Sequence, residues 1–171
     1  VVACPLDHRV TSYGYRIQEP VRRHFDAEAL AAAGVVGPAV GRLAREGWVD
    51  VGGRVVRVED VSEPRRGQSV AVVMDTRWCD SALELAASVD LLVAESTFLS
   101  TEADLAHRYG HLTAAQAGRL ASEAGARALV LTHFSQRYPD QQSFADEAAD
   151  WFDGPIHAAA DFDRVPVPPR T

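Results

Sequence analysis

Lysine and asparagine are missing from this sequence, and all 17 of its basic residues are arginine. With alanine abundant as well, we read this as codon bias from a GC-rich genome. Cysteine is nearly absent. Cys4 and Cys79 are too few for a disulfide framework or a thiolate zinc cluster, which fits a reducing cytoplasm. No apolar run can span a bilayer, since the longest weakly polar stretch, Ala29 to Gly41, is Ala/Gly/Val with a proline inside it. No internal repeat appears, which excludes a solenoid. Positive charge is not in excess either: the formal net charge of −7 argues against a protein that simply coats nucleic acid, though not against a local basic surface. The apolar stretch Val1 to Leu6 carries no basic leader, so no secretory signal is expected. Methionine occurs once, at Met74, and Val1-Val2-Ala3-Cys4 already reads as a buried strand. The expectation is a piece of something longer.

What is present suits one folded domain: 171 residues, 47% of them hydrophobic, can bury a sizeable core. Strands are expected at Val1–Cys4 and Tyr13–Gln18. From Pro20 to about Arg66 the texture changes to turns and short elements. Asp26 caps a helix over Ala27–Ala33 that stops at Gly34. Gly37-Pro38 restarts a helix that Gly47 closes, and Trp48–Val51 with Arg54–Val58 forms a hairpin on Gly52-Gly53. Beyond Gly67, strands at Ser69–Met74, Asp90–Ala94 and Ala128–Thr132 alternate with helices at Ser81–Ser88, Glu102–Tyr109, Ala114–Ala124 and Ser143–Phe152. Ile156 to Val167 is expected to return as strand. This alternation indicates α/β architecture.

In such sheets the residues just past strand C-termini are the favoured site positions. Asp75, Glu95 and His133 each follow a strand, and His8 follows the first strand and its loop. Histidine and carboxylate are ligands preferred by Zn²⁺, and a carboxylate can bridge two ions. Each residue alone is ordinarily a loop residue bonding to backbone; the set is what points to a metal-assisted hydrolase. His111 precedes the helix capped by Thr113, where its ring can lean over the same sheet edge and donate a proton to a leaving oxygen. A capping-region histidine without chemistry is the alternative. His24, His107 and His157 receive no role. From Arg16 to Arg66 there are nine Arg and eight Asp/Glu, a net of +1, which leaves −8 for the rest. A solvated mixed-charge surface is the ordinary reading, yet Arg22-Arg23, Arg42/Arg45 and Arg54/Arg57 are grouped, and arginine matches phosphate geometry.

His8 with Ser12-Tyr13-Gly14-Tyr15-Arg16, then Asp75-Thr76-Arg77, Glu95-Ser96-Thr97-Phe98, His111-Leu112-Thr113 and Leu131-Thr132-His133-Phe134-Ser135-Gln136-Arg137-Tyr138 occur in that order. The series resembles the C-terminal half of ribonuclease Z, the metallo-β-lactamase-fold endonuclease that matures tRNA 3′ ends. The resemblance runs from His8 to about Phe162. It implies about half of an αββα sandwich, with residues 20–66 as a protruding, flexible tRNA-binding arm in which Gly37, Pro38, Arg42 and Arg45 contact substrate. It implies two zinc ions, with His8 and His133 as ligands and Asp75 as the bridge. His111 would serve the leaving 3′ oxygen and Glu95 would hold its ring. Precursor tRNA would be the substrate, in the cytoplasm, with a homodimer as the intact form and no membrane involved.

Departures accompany the likeness. The His-x-His-x-Asp-His motif of the family's N-terminal half does not occur here, Met74 stands where a glycine is usual, and Ala94 replaces a frequent histidine. The chain alone is therefore expected to be inactive and to require that half. Two other readings remain at this point: another hydrolase of the same fold, arylsulfatase-like or a small phosphodiesterase, and a noncatalytic truncated fragment.

Overall fold

The computed structural model describes residues 1–169, which divide into two compact units. The first comprises Val1–Glu19 and the chain from Gln68 onward; the second is Pro20–Gly67.

The first unit is built on a six-stranded mixed sheet. Its strands are β1 (Val2–Pro5), β2 (Tyr13–Gln18), β7 (Ser69–Val73), β8 (Leu91–Glu95), β9 (Leu129–Thr132) and β10 (Ile156–Ala158), in the order β1-β2-β7-β8-β9-β10. β1 pairs antiparallel with β2 and β2 antiparallel with β7, whereas β7, β8, β9 and β10 are mutually parallel. The parallel pairs are joined through α3 (Asp80–Ala86), α5 (Ala114–Ala124) and α6 (Gln142–Ala149), with α4 (Ala103–Tyr109) preceding α5. Successive parallel crossovers in one direction, which as a rule are right-handed, stack their helices on one face of the sheet. The main core lies there: Ala71 and Val73 of β7, Leu92 and Ala94 of β8, and Leu129 and Leu131 of β9 are buried against Ala82, Ala117, Leu120, Phe144 and Ala148. Alternation puts Val70, Leu91, Val93, Ala128 and Val130 on the opposite face, where Ala159, Val165 and Val167 pack against them. On that side Tyr13, Tyr15 and Ile17 of β2 remain about half exposed.

The second unit has its own apolar centre of Val35, Leu43, Val49, Val56, Val58 and Val61. It contains α1 (Ala27–Ala32), α2 (Pro38–Glu46) and the hairpin β4 (Trp48–Val51)–β5 (Arg54–Arg57). Asp26 caps α1 through the N–H groups of Glu28 and Ala29, and Gly47 ends α2 in the left-handed conformation. Two further strands, β3 (Arg22–Phe25) and β6 (Ser62–Arg65), pair antiparallel. Neither is apparent in the sequence, because both are charged and a proline lies in one of them.

Two expectations are corrected. Val1–Cys4, expected as a buried strand, falls on β1 at the edge of the sheet, where Val1 and Val2 are exposed. Ile156 to Val167 is strand only over β10. The Asp163 carboxylate takes the Ala160 N–H and His157 Nε2, and Phe162 turns the chain at φ 72°, so the segment leaves the ladder after Ala158. Among the described residues no helix is long and apolar enough to cross a membrane.

Candidate metal centre

The parallel strands end side by side, and that edge carries the titratable residues expected from the sequence. Register sets Val73 beside Ala94 and Glu95 beside Thr132. Asp75 therefore lies two residues past β7, Glu95 closes β8, and His133 directly follows β9. Asp75 and His133 both have positive φ, 53° and 61°. A non-glycine residue pays about 1–2 kcal/mol for that conformation, less for a short polar side chain such as aspartate, and Ser88 and Phe162 adopt it elsewhere in the chain.

Glu95 is fully buried. Burying a carboxylate costs several kcal/mol unless donors surround it, and here they do. It accepts from Thr76 N–H at 2.6 Å, from the Thr97 hydroxyl at 2.7 Å and from Leu112 N–H at 3.1 Å. His111 Nδ1 stands 3.1 Å from both of its oxygens. Thr76 adjoins Asp75, so one carboxylate reaches the surroundings of three site residues.

Above it, one ligand atom each from Asp75, His111 and His133 lies within 4.8 Å of the others. Asp75 Oδ1 is 3.3 Å from His133 Nε2 and 4.0 Å from His111 Nδ1. Asp75 and His133 are partly open to solvent, while His111 is largely covered. A carboxylate and imidazole nitrogens at this spacing form a donor set that fits a zinc-like ion. His111 differs from the other two, because its Nδ1 already bonds to Glu95. His8 is brought next to His111, with ring centroids 5.0 Å apart, but its ligand atoms stand outside the cluster of three. Its Nδ1 lies 2.9 Å from the Gly110 carbonyl oxygen. A Cβ on Gly110, which has φ +90°, would meet that nitrogen at 2.5 Å, so only glycine lets the ring sit there.

Thr76 and Thr97 stand inside the quoted motifs but receive no role from the sequence, and Gly110 stands outside them. Gly110 carried a signal, as the glycine closing α4 immediately before His111. His157 pairs with Asp163 at an exposed position away from the edge, and His24 lies in β3. In the second unit, Gly37 caps α2 with φ 56°, Pro38 is its first residue, and Arg42 and Arg45 are exposed one turn apart.

No family model matches this chain. Among known proteins it is 55% identical over 173 residues to "Ribonuclease Z" of Thermobifida fusca (strain YX), covering 99% of this chain and 54% of that protein. Over nearly its whole length the chain is similar to ribonuclease Z. The ribonuclease Z of Nocardia farcinica is 51% identical over 170 residues, again with 99% of this chain and 56% of the relative covered. That of Chlamydia muridarum is 41% identical over 162 residues, with 95% and 53% covered. The chain thus spans about half the length of the curated ribonuclease Z relatives it matches. Among solved structures, the metallo-β-lactamase fold protein YhfI from Bacillus subtilis superposes with a TM-score of 0.58 at 21% identity, over 92% of this chain and 45% of that one. Human tRNase Z, short form, gives 0.55 at 23% identity, over 97% and 41%. The fold is that of the metallo-β-lactamase proteins, over somewhat less than half of their length.

Proposed function

We propose that this chain is the C-terminal portion of a zinc-dependent endoribonuclease that removes the 3′ trailer from precursor tRNA, leaving a 3′ hydroxyl. The observation that carries the reading is the Asp75–His111–His133 cluster standing over buried Glu95 at the edge of a parallel sheet. Homology to ribonuclease Z supports the substrate class.

On this reading His8, Asp75 and His133 would help hold a pair of zinc ions. When bound, such a pair supplies a nucleophilic water at neutral pH and stabilises charge on the scissile phosphate. Glu95 holds the Nδ1 side of His111 at 3.1 Å, which fixes the ring and leaves Nε2 to protonate the leaving 3′ oxygen. Three residues cannot satisfy two ions that each need four or five ligands. The remaining ligands, and the acid that positions the water, come on this reading from the other half of the relatives' length. The unit Pro20–Gly67 serves as the tRNA-binding arm, where exposed Arg42 and Arg45 suit phosphate oxygens and Gly37-Pro38 sets the start of their helix. We further infer a cytoplasmic homodimer in which each arm serves the partner's site; the two free thiols fit a reducing compartment.

Complementation tests the reading. A second chain carrying the His-x-His-x-Asp-His segment is mixed with this one and Zn²⁺, and trailer release from precursor tRNA is measured. Cleavage by the mixture, by neither chain alone, and lost with Asp75→Ala is expected. Background cleavage from two folded chains, or cleavage indifferent to Asp75→Ala, sinks the proposal. Hydrolysis of a small chromogenic diester without tRNA cleavage would favour a different hydrolase of this fold.

A further inference from the structure

Thr97 is almost fully buried, and its hydroxyl stands between two groups of the candidate centre. Oγ1 donates to Glu95 Oε2 at 2.7 Å and lies 2.8 Å from His133 Nδ1. A threonine hydroxyl has one proton to give, and an ionised carboxylate can only accept. The proton is spent on Glu95, so Thr97 can meet His133 only as an acceptor. His133 then carries its proton on Nδ1, the reverse of the tautomer a free histidine side chain favours in water. Its Nε2 lone pair faces Asp75 Oδ1 at 3.3 Å. Two acceptors so placed repel unless a cation lies between them. The main chain acts in the same place: Ser135 N–H donates to the Thr97 carbonyl at 3.1 Å, so Thr97 holds both the His133 ring and the chain just after this strained residue.

We propose that Thr97 is a positioning residue that presets His133 as a metal ligand by fixing its tautomer and ring plane. Glu95 thereby orients all three upper groups from one buried point: Asp75 through the adjacent Thr76 N–H, His111 directly, and His133 through Thr97. The purpose of this device rests on the metal-centre reading above; the tautomer does not.

The full chain, labelled with ¹⁵N at histidine, is compared as wild type, Thr97→Ser and Thr97→Val. Two-bond ¹⁵N–¹H correlation spectra are recorded without metal, above the imidazole titration range. Nδ1–H is expected at His133 in wild type and Thr97→Ser, and a shift toward Nε2–H in Thr97→Val. Zinc titration of the same samples should show Thr97→Val about 10–100-fold weaker, with Thr97→Ser close to wild type. Nδ1–H retained in full by Thr97→Val overturns the proposal, as does unchanged zinc affinity in that variant. If Thr97→Val does not fold, Thr97→Ala gives the same readout with less bulk. A wild type that holds Nδ1–H yet takes up no zinc even when mixed with the complementing half supports the hydrogen-bond relay and sinks the metal-centre reading instead.

Discussion

The segment after His133 is held in place by side chains rather than by a strand ladder. The Tyr138 hydroxyl donates to Glu102 and accepts the Leu99 N–H at 3.1 Å, and Arg137 reaches Glu102 at 2.7 Å while its guanidinium lies over the Phe98 ring. The Tyr138 hydrogen bond, aided by the Arg137 charge, holds the Glu102 carboxyl below the usual glutamate range. Burial, together with the same carboxylate, pushes the Tyr138 phenol up. A folded-state value below the unfolded one stabilises the fold above the unfolded titration range, and that contribution fades as pH falls through the folded value. Carbon NMR titration of the Glu102 carboxyl should therefore give a midpoint below that of an ordinary glutamate. Tyr138→Phe should move it upward; an unmoved midpoint would mean that Arg137 alone sets it. Glu102 is accessible to water, so the effect on global stability should be small.

At the scale of elements, α5 and α6 pack unusually closely. A Cβ on Gly118 of α5 would meet the Ala148 carbonyl oxygen of α6 at 2.5 Å and its Cα at 3.0 Å. Two effects compete in Gly118→Ala. Helix propensity favours alanine by about 1 kcal/mol, while overpacking costs about 1–3 kcal/mol. The obstacle is main chain, which cannot rotate aside, so the second effect should win. Urea unfolding of Gly118→Ala should show a lower midpoint and a loss of about 1 kcal/mol; a gain would show that the helices separate freely. The same helix illustrates what the sequence makes legible. Its Thr113 cap and Gly125 stop are local chemistry, and its bounds are those expected, as are those of the α2 stop at Gly47. β3 and β6 were hidden because their pairing joins residues about forty positions apart and shows no apolar alternation. The site divides in the same way. Asp75, Glu95 and His133 are legible because strand ends are, whereas Thr97 takes its part from a histidine 36 residues away that only the folded sheet sets beside it.

At the scale of the whole molecule, the sequence places residues 20–67 between two strands that are neighbours. Gln18 of β2 pairs with Ser69 of β7, and Glu19 N–H donates to the Gln68 carbonyl at 2.9 Å, so the ladder continues to the point where the chain departs. The ends of the excursion are thus already at hairpin spacing. Replacing Pro20–Gly67 by Asn-Gly would join Glu19 to Gln68 through the turn that a two-residue hairpin prefers. None of the residues at the candidate centre is removed, and the second unit takes its own apolar centre with it. The excised chain should fold and bind zinc as the intact chain does. Assayed with the complementing half, it should hydrolyse a small chromogenic diester at nearly the intact rate. Its kcat/KM for precursor tRNA should fall roughly 10- to 100-fold, and the salt dependence should flatten by about 0.7–0.9 log units per lost phosphate contact, depending on whether that contact is to single strand or duplex. Equal losses on both substrates would assign residues 20–67 to the integrity of the centre. Unchanged tRNA cleavage would remove them from substrate binding altogether.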